Sequence, residues 1–167
     1  VNNTITRITY GQIRTLLYGS EDKLINFGQG NEQAEDFFLL NINRANYKEK
    51  LFLPTFNMHL SGSSGSINLT NNSNNLSTVE YCDSGRIYNI VSGSNGIITN
   101  NNVSGSTSNG LYGKFLPDVG MILLNPKALS LPFVSGGLGL NILTSSLDSS
   151  LLANNTELFN MINRAGY

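Results

Sequence analysis

Two kinds of apolar pattern divide the chain. Phe37-Phe38-Leu39-Leu40-Asn41-Ile42 is an apolar run, and Val119-Gly120-Met121-Ile122-Leu123-Leu124 is a near-continuous one, whereas Phe56-Asn57-Met58-His59-Leu60-Ser61 alternates with period two. The continuous type fits a strand covered on both faces, and the alternating type fits a strand with one face in water. Between the first and third of these segments lies Arg44-Ala45-Asn46-Tyr47-Lys48-Glu49-Lys50, a charged corner in a chain otherwise poor in charge. The stretch 41–62 therefore reads as strand, charged corner, strand, with Pro54 opening the second strand, where a missing backbone donor costs little.

From residue 60 to 125 helical periodicity is absent. Ile67-Asn68-Leu69, Arg86-Ile87-Tyr88-Asn89-Ile90-Val91 and Gly96-Ile97-Ile98-Thr99 are separated by Ser63-Ser64-Gly65-Ser66, Asn71 to Asn75, Ser92-Gly93-Ser94-Asn95-Gly96 and Asn100 to Asn102. Such separators tolerate positive φ and bond their own backbone, as hairpin tips require. Pro117-Asp118 reads as a further turn. Helical patterns flank this region. Thr9 and Gln12 form a capping box, Ile8 and Ile13 a hydrophobic staple, Ile13, Leu16 and Leu17 one apolar face, and Gly19 a stop, giving a helix near 10–18. Asn154 as N-cap, Glu157 three residues on, and Leu158, Ile162 and Ala165 on one face beside Phe159 and Met161 give a helix near 154–165, with Asp148 to Leu152 as a candidate earlier turn and Gly166 as the stop. Asn125-Pro126 starts a short helix between them. The expected fold is mainly β with short flanking helices (α+β), a meander of short antiparallel strands and hairpins. At 167 residues it is expected to be a single domain, with 61–110 as an Asn/Ser/Gly-rich hairpin insertion.

Charge narrows the function. Ten Lys and Arg against eleven Asp and Glu, 13% of the chain, are about half the ordinary charged share. A basic footprint for nucleic acid or an anionic membrane surface is missing, and no apolar run approaches the roughly 20 residues of a membrane span. So little charge fits a surface covered by partners, the favoured reading, or by neutral Asn, Ser, Thr and Gly. The chain begins at Val1 and ends at Tyr167 directly after a helical pattern, so it is expected to be a fragment of something longer.

Candidate chemistry is thin. His59 and Cys82 each stand alone, which removes the ordinary zinc sites, and no disulfide can form within the chain. Glu32, Glu35 and Asp36 lack the oxygen spacing of a calcium loop. His59 lies on the polar face of its strand, and nothing in the spacing selects Asp83 and Ser84 as its catalytic partners. Gly136-Gly137-Leu138-Gly139 has no Lys-Ser/Thr after it and reads as a flexible hinge, not a phosphate loop. Arg44, Tyr47, Lys48 and Lys50 are the candidate interface, since Arg and Tyr are favoured anchors of protein contacts. Arg44 to Lys50 can also be read as a charged corner that merely caps two strands. No cofactor, metal or catalytic residue is expected.

The corner and the strand after it resemble a known module. Asn41-x-x-Arg44-x-x-Tyr47-Lys48-Glu49-Lys50 followed by Leu53-Pro54-x-Phe56-x-Met58-x-Leu60 is similar to virion structural proteins, of the baseplate or tail, of large contractile-tailed bacteriophages. Tyr112-Gly113-Lys114-Phe115-Leu116-Pro117-Asp118-Val119-Gly120-Met121-Ile122-Leu123-Leu124-Asn125 looks like a second block, and Asn163-Arg164-Ala165-Gly166-Tyr167 like the lead-in to a third. The resemblance implies a non-enzymatic structural component of the virion, symmetric assembly with other virion structural proteins, and a chain continuing past Tyr167. The alternative is a receptor- or carbohydrate-binding β domain, whose groove would be floored by Tyr81, Tyr88 and Tyr112.

Overall fold

The computed structural model describes residues 4–28, 33–34, 36–47, 49, 51, 53–75, 79–99, 106–141 and 148–164. It is mainly β with a few short helices. In chain order the elements are α1 (Thr4–Tyr18), β1 (Ile25–Asn26), β2 (Gln33–Ala34), β3 (Phe38–Asn41), β4 (Asn57–Ser61), β5 (Ser66–Asn71), β6 (Glu80–Cys82), β7 (Gly85–Ser94), β8 (Ile97–Ile98), β9 (Gly113–Leu116), β10 (Met121–Leu124), α2 (Pro126–Ser130) and α3 (Asp148–Arg164). β1 and β2 form a small ladder of their own. The other eight strands make one curled antiparallel sheet in the order β3-β10-β9-β7-β5-β4, with β6 and β8 also paired to β7.

Side-chain alternation along this sheet feeds two cores. Phe38, Tyr88, Ile90, Phe115, Ile122 and Leu124 point to one face, where they meet Leu60, Leu69, α2 and the Leu158 and Met161 positions of α3. Phe37, Ile87, Leu116 and Leu123 point to the other, where Ile13 and Leu17 of α1 cover them with Ile25 and Phe27. The continuous apolar runs thus supply β3 and β10, which need apolar side chains on both faces, although Val119 and Gly120 fall in the turn before β10 and not in the strand. β4 keeps its alternation: Leu60 is buried and Asn57 and His59 are exposed. The Asn/Ser/Gly-rich stretch 61–110 supplies β5 and β7, which lie inside the strand order.

Several sequence expectations change. β3 and β4, the two strands read on either side of the charged corner, are the opposite ends of the main strand order, so the corner is no hairpin between them. Pro54 lies in a short 3-10 turn, Leu53–Thr55, and not in β4. α1 begins at Thr4, so Thr9 is inside the helix and not its cap, and Ile8 is 54% exposed and starts no staple. α3 likewise begins at Asp148, which places Asn154 within the helix on its buried stripe with Leu158 and Met161. A capping-box spacing can recur inside a helix, and only the chain before it decides which one starts the element. The expected stops differ in standing: Gly19 ends α1 at φ +68°, its N–H bonded to the Thr15 carbonyl, whereas Ala165 and Gly166 lie outside the described residues. Asn125 caps α2 through its side chain with Pro126 in the first turn, as expected. The Asn95-Gly96 tip between β7 and β8 takes φ values of +52° and +75°, the left-handed pair that a tight hairpin turn requires.

Candidate functional site

The corner is a bridge across one end of the sheet. It leaves β3 where the Ile42 N–H donates to the Gly120 carbonyl (2.8 Å), passes the β9–β10 turn where the Leu51 N–H donates to the Pro117 carbonyl (3.0 Å), and reaches β4 beside β5. There the buried Asn71 donates to the Leu53 carbonyl (2.6 Å) and the buried Thr70 hydroxyl to the Phe56 carbonyl (2.9 Å). Leu51, Leu53 and Phe56 turn inward, and the Phe56 ring stacks on Phe115 with centroids 4.2 Å apart. Backbone, buried amide and aromatic contacts together fix a segment in which Asn43, Arg44, Ala45, Asn46, Glu49 and Pro54 stay exposed.

Arg44–Asn46 form a 3-10 turn capped by Asn43, whose side-chain oxygen accepts the Ala45 N–H (3.0 Å). The Arg44 guanidinium lies 4.6 Å over the Tyr47 ring and donates from Nη1 to the Glu49 carbonyl (2.9 Å). Tyr47 is itself seated on the β9–β10 turn. Gly120 there has φ +70°, and a Cβ on it would lie 2.5 Å from the Tyr47 hydroxyl oxygen. Of the four candidate interface residues, the structure joins Arg44 and Tyr47, Arg44 exposed and Tyr47 half-buried; Lys48 and Lys50 lie outside the described residues.

The same turn is held from the other side. Asp118 accepts hydrogen bonds from Arg86 Nη2 (2.5 Å), Arg86 Nε (3.1 Å) and the Arg86 backbone N–H (2.9 Å), and this bidentate pairing raises the guanidinium pKa above its ordinary value. Pro117–Gly120 is therefore clamped between the start of β7 and the bridge. Pro-Asp marked the turn in sequence, but nothing marked Arg86 as its partner, nor Thr70 and Asn71 as fasteners, because each acts across a long sequence separation.

The remaining candidates stay apart. His59 Nδ1 contacts Asn68 Oδ1 across the β4–β5 pair, while the Ser84 hydroxyl donates to the Leu16 carbonyl on α1 (2.6 Å), so no nucleophile–base pair forms between them. Cys82 is half-buried against the α1-side core. Glu32 and Glu35 are outside the described residues, and among the described residues no three His, Cys, Asp or Glu side chains gather as a metal site would need. No helix of the described residues is long and apolar enough to cross a membrane. Lys114 lies on the sheet with Nζ donating to Asn89 (2.9 Å), and desolvation lowers its pKa, partly opposed by Glu80. The tyrosine groove does not form: Tyr88 and Tyr112 are buried, the latter donating to the Gly136 carbonyl (2.5 Å), and Tyr81 alone is exposed. The glycine run expected as a hinge is pinned, because Leu138 and Leu140 are buried and their N–H groups both donate to the Leu129 carbonyl (3.0 and 3.1 Å). Set against models of known protein families, curated proteins and solved structures, the chain finds no match.

Proposed function

We propose that this chain is a non-enzymatic structural component of a larger assembly, working through protein–protein contact at the bridge centred on Arg44. The observation that carries the proposal is an exposed arginine already stacked on a seated tyrosine. Ordering an arginine side chain on binding is expensive in rotamer freedom, and a stacked guanidinium has met much of that cost beforehand. Arginine and the aromatic residues are also enriched where a contact surface is desolvated, and a cation over a ring is a favourable pairing there. The tail or baseplate of a contractile-tailed phage virion, with other virion structural proteins as partners, is the setting that the sequence resemblance implies.

Electron microscopy of native particles tests the setting. Repeated copies of this chain around a tail axis are the expected image, and purification as a lone monomer that binds glycans would overturn the proposal. The carbohydrate-binding alternative loses its floor with Tyr88 and Tyr112 buried.

A further inference from the structure

β4 ends the main strand order, pairing with β5 on one side and with no strand of the described residues on the other. The hairpin fixes which backbone groups face outward. The Gly62 N–H donates to the Gly65 carbonyl across the turn (2.8 Å), so this is a hydrogen-bonded pair, and such pairs alternate along an antiparallel ladder. Leu60 with Ile67 and Met58 with Leu69 then exchange bonds within the hairpin, whereas Ser61 with Ser66 and His59 with Asn68 do not. The N–H and C=O of His59 and Ser61 consequently point away from β5. The side chains agree, since a pair without mutual hydrogen bonds brings them closest, and His59 meets Asn68 across that pair.

Natural sheets guard such edges with lysine, proline, bulges, inward charges or a helix or loop laid over them. β4 carries none of the first four, and α3 meets it on the core face, where Leu158 and Met161 share a cluster with Met58 and Leu60. No Asp, Glu, Lys or Arg occurs from Pro54 to Val79, Pro54 belongs to the preceding turn, and the β4–β5 register is unbroken from Asn57 to Ser61. α3, which packs against β4, carries Phe159 with 62% of its surface exposed.

We propose that β4 is a self-association edge, pairing antiparallel with β4 of a second copy about a two-fold axis and joining two sheets into one. A second copy fits because two-fold antiparallel pairing sets His59 and Ser61 of one strand against the same residues of the other, so outward donors meet outward acceptors. No like charges are opposed along the strand, and a chain net charge of −1 adds little repulsion. Met58, half-buried on the core face, and Phe159 offer apolar surface beside the junction. The inference shares with the assembly reading only the requirement for association; its seam is an edge strand, not the Arg44 bridge.

Sedimentation of the 167-residue chain over a concentration series tests it. The wild-type chain is expected to dimerise. His59→Lys and His59→Glu, both on the polar face, are each expected to weaken the dimer roughly fivefold, and their equimolar mixture to restore it, because residue 59 of one copy lies opposite or diagonal to residue 59 of the other. Ser61→Pro removes an outward donor without touching the β5 ladder and is expected to weaken the dimer about tenfold. Arg44→Ala should leave the dimer intact, which separates failure of this seam from failure of the bridge. A concentration-independent monomer, or a dimer that neither His59 variant weakens and whose mixture recovers nothing, overturns the proposal. Unchanged thermal melts of the His59 variants confirm that folding is not what was lost.

Discussion

The two arms of the sheet use opposite solutions to the same strand geometry. β3, β10 and β9 are sandwiched, with α1 and its neighbours on one face and the core beneath α2 and α3 on the other, so consecutive residues Leu123 and Leu124 are both fully buried in different cores. β4 and β5 are covered on one face only. Leu60 and Leu69 go inward, while His59 and Asn68 stay in water. Where the outer face of β5 is buried, at Thr70, the cover is the β7–β8 tip, whose Gly96 N–H donates to the Thr70 hydroxyl (2.9 Å) and whose Asn95 bonds the Asn57 side chain. The sandwiched arm buries consecutive residues such as Leu123 and Leu124, and the one-sided arm alternate ones.

Truncation should expose that difference most sharply. Leu123→Ala and Leu124→Ala are each expected to destabilise by about 2–5 kcal/mol, the usual cost of emptying a closed core site. On the one-sided arm Leu69→Ala should cost a similar amount and Asn68→Ala within about 0.5 kcal/mol. Urea midpoints at constant m-value measure all four. A small loss at Leu123 would mean that α1 covers the sheet loosely, and the two arms would cease to differ.

The pattern contrast was legible from the residues alone, because burial on one face or two is written directly into the run of side chains. Strand order was not. Phe37–Ile42 and Phe56–Ser61 look like partners across a corner, but a connection that includes two 3-10 turns and three inward apolar residues, Leu51, Leu53 and Phe56, is too long and too apolar for a hairpin. It crosses the sheet end instead. The tyrosine groove failed for a related reason. Tyr88 alternates inward on β7, whereas Tyr81 faces water on β6, and a cluster drawn from composition ignores that alternation. Arg44 and Tyr47 could be nominated because arginine and tyrosine announce themselves; the fasteners Thr70, Asn71 and Gly120 are ordinary residue types whose role depends on what the fold brings to them.

The turn that joins the sandwiched arm to the bridge gives the next effect in size. Gly120→Ala meets two obstacles, a left-handed φ of +70° and the Tyr47 hydroxyl where the new Cβ would sit. A loss of about 1–3 kcal/mol is expected. Pairing it with Tyr47→Phe in a double-mutant cycle apportions the cost: partial recovery identifies the collision, and full additivity leaves backbone strain alone.

Alkaline titration acts on the sandwiched arm next. Burial raises the pKa of Tyr112, so its phenolate is disfavoured in the folded chain. A raised acid contributes stability that is complete below the unfolded value of about 10 and is lost as pH climbs from there toward the folded value. Tyr10 and Tyr18, raised chiefly by desolvation, add in the same direction. Lys114 opposes them, because a lowered lysine pKa makes stability rise with pH up to about 10.5. Tyr112→Phe should cost about 1 kcal/mol at neutral pH through the lost bond to Gly136 and should flatten the decline above about pH 10 without abolishing it. An unchanged slope would place the alkaline loss elsewhere.

Arg44 should have the smallest effect on folding and is for that reason the most informative about the bridge. Its side chain is exposed, and what it touches are one carbonyl and one ring face, both at the surface. Arg44→Ala is therefore expected to shift stability by no more than about 0.5 kcal/mol. Tyr47→Ala is not an equivalent probe, because Tyr47 also seats the bridge on the Gly120 turn and its loss loosens the fold itself. If the bridge anchors a partner, Arg44→Ala should reduce incorporation into native particles well beyond the change in melting temperature, and Arg44→Lys, which keeps the charge but loses the planar fork over the ring, should rescue little. Equal loss of incorporation and stability would reduce the bridge to a device of the fold, a strap that carries the chain from one arm of the sheet to the other.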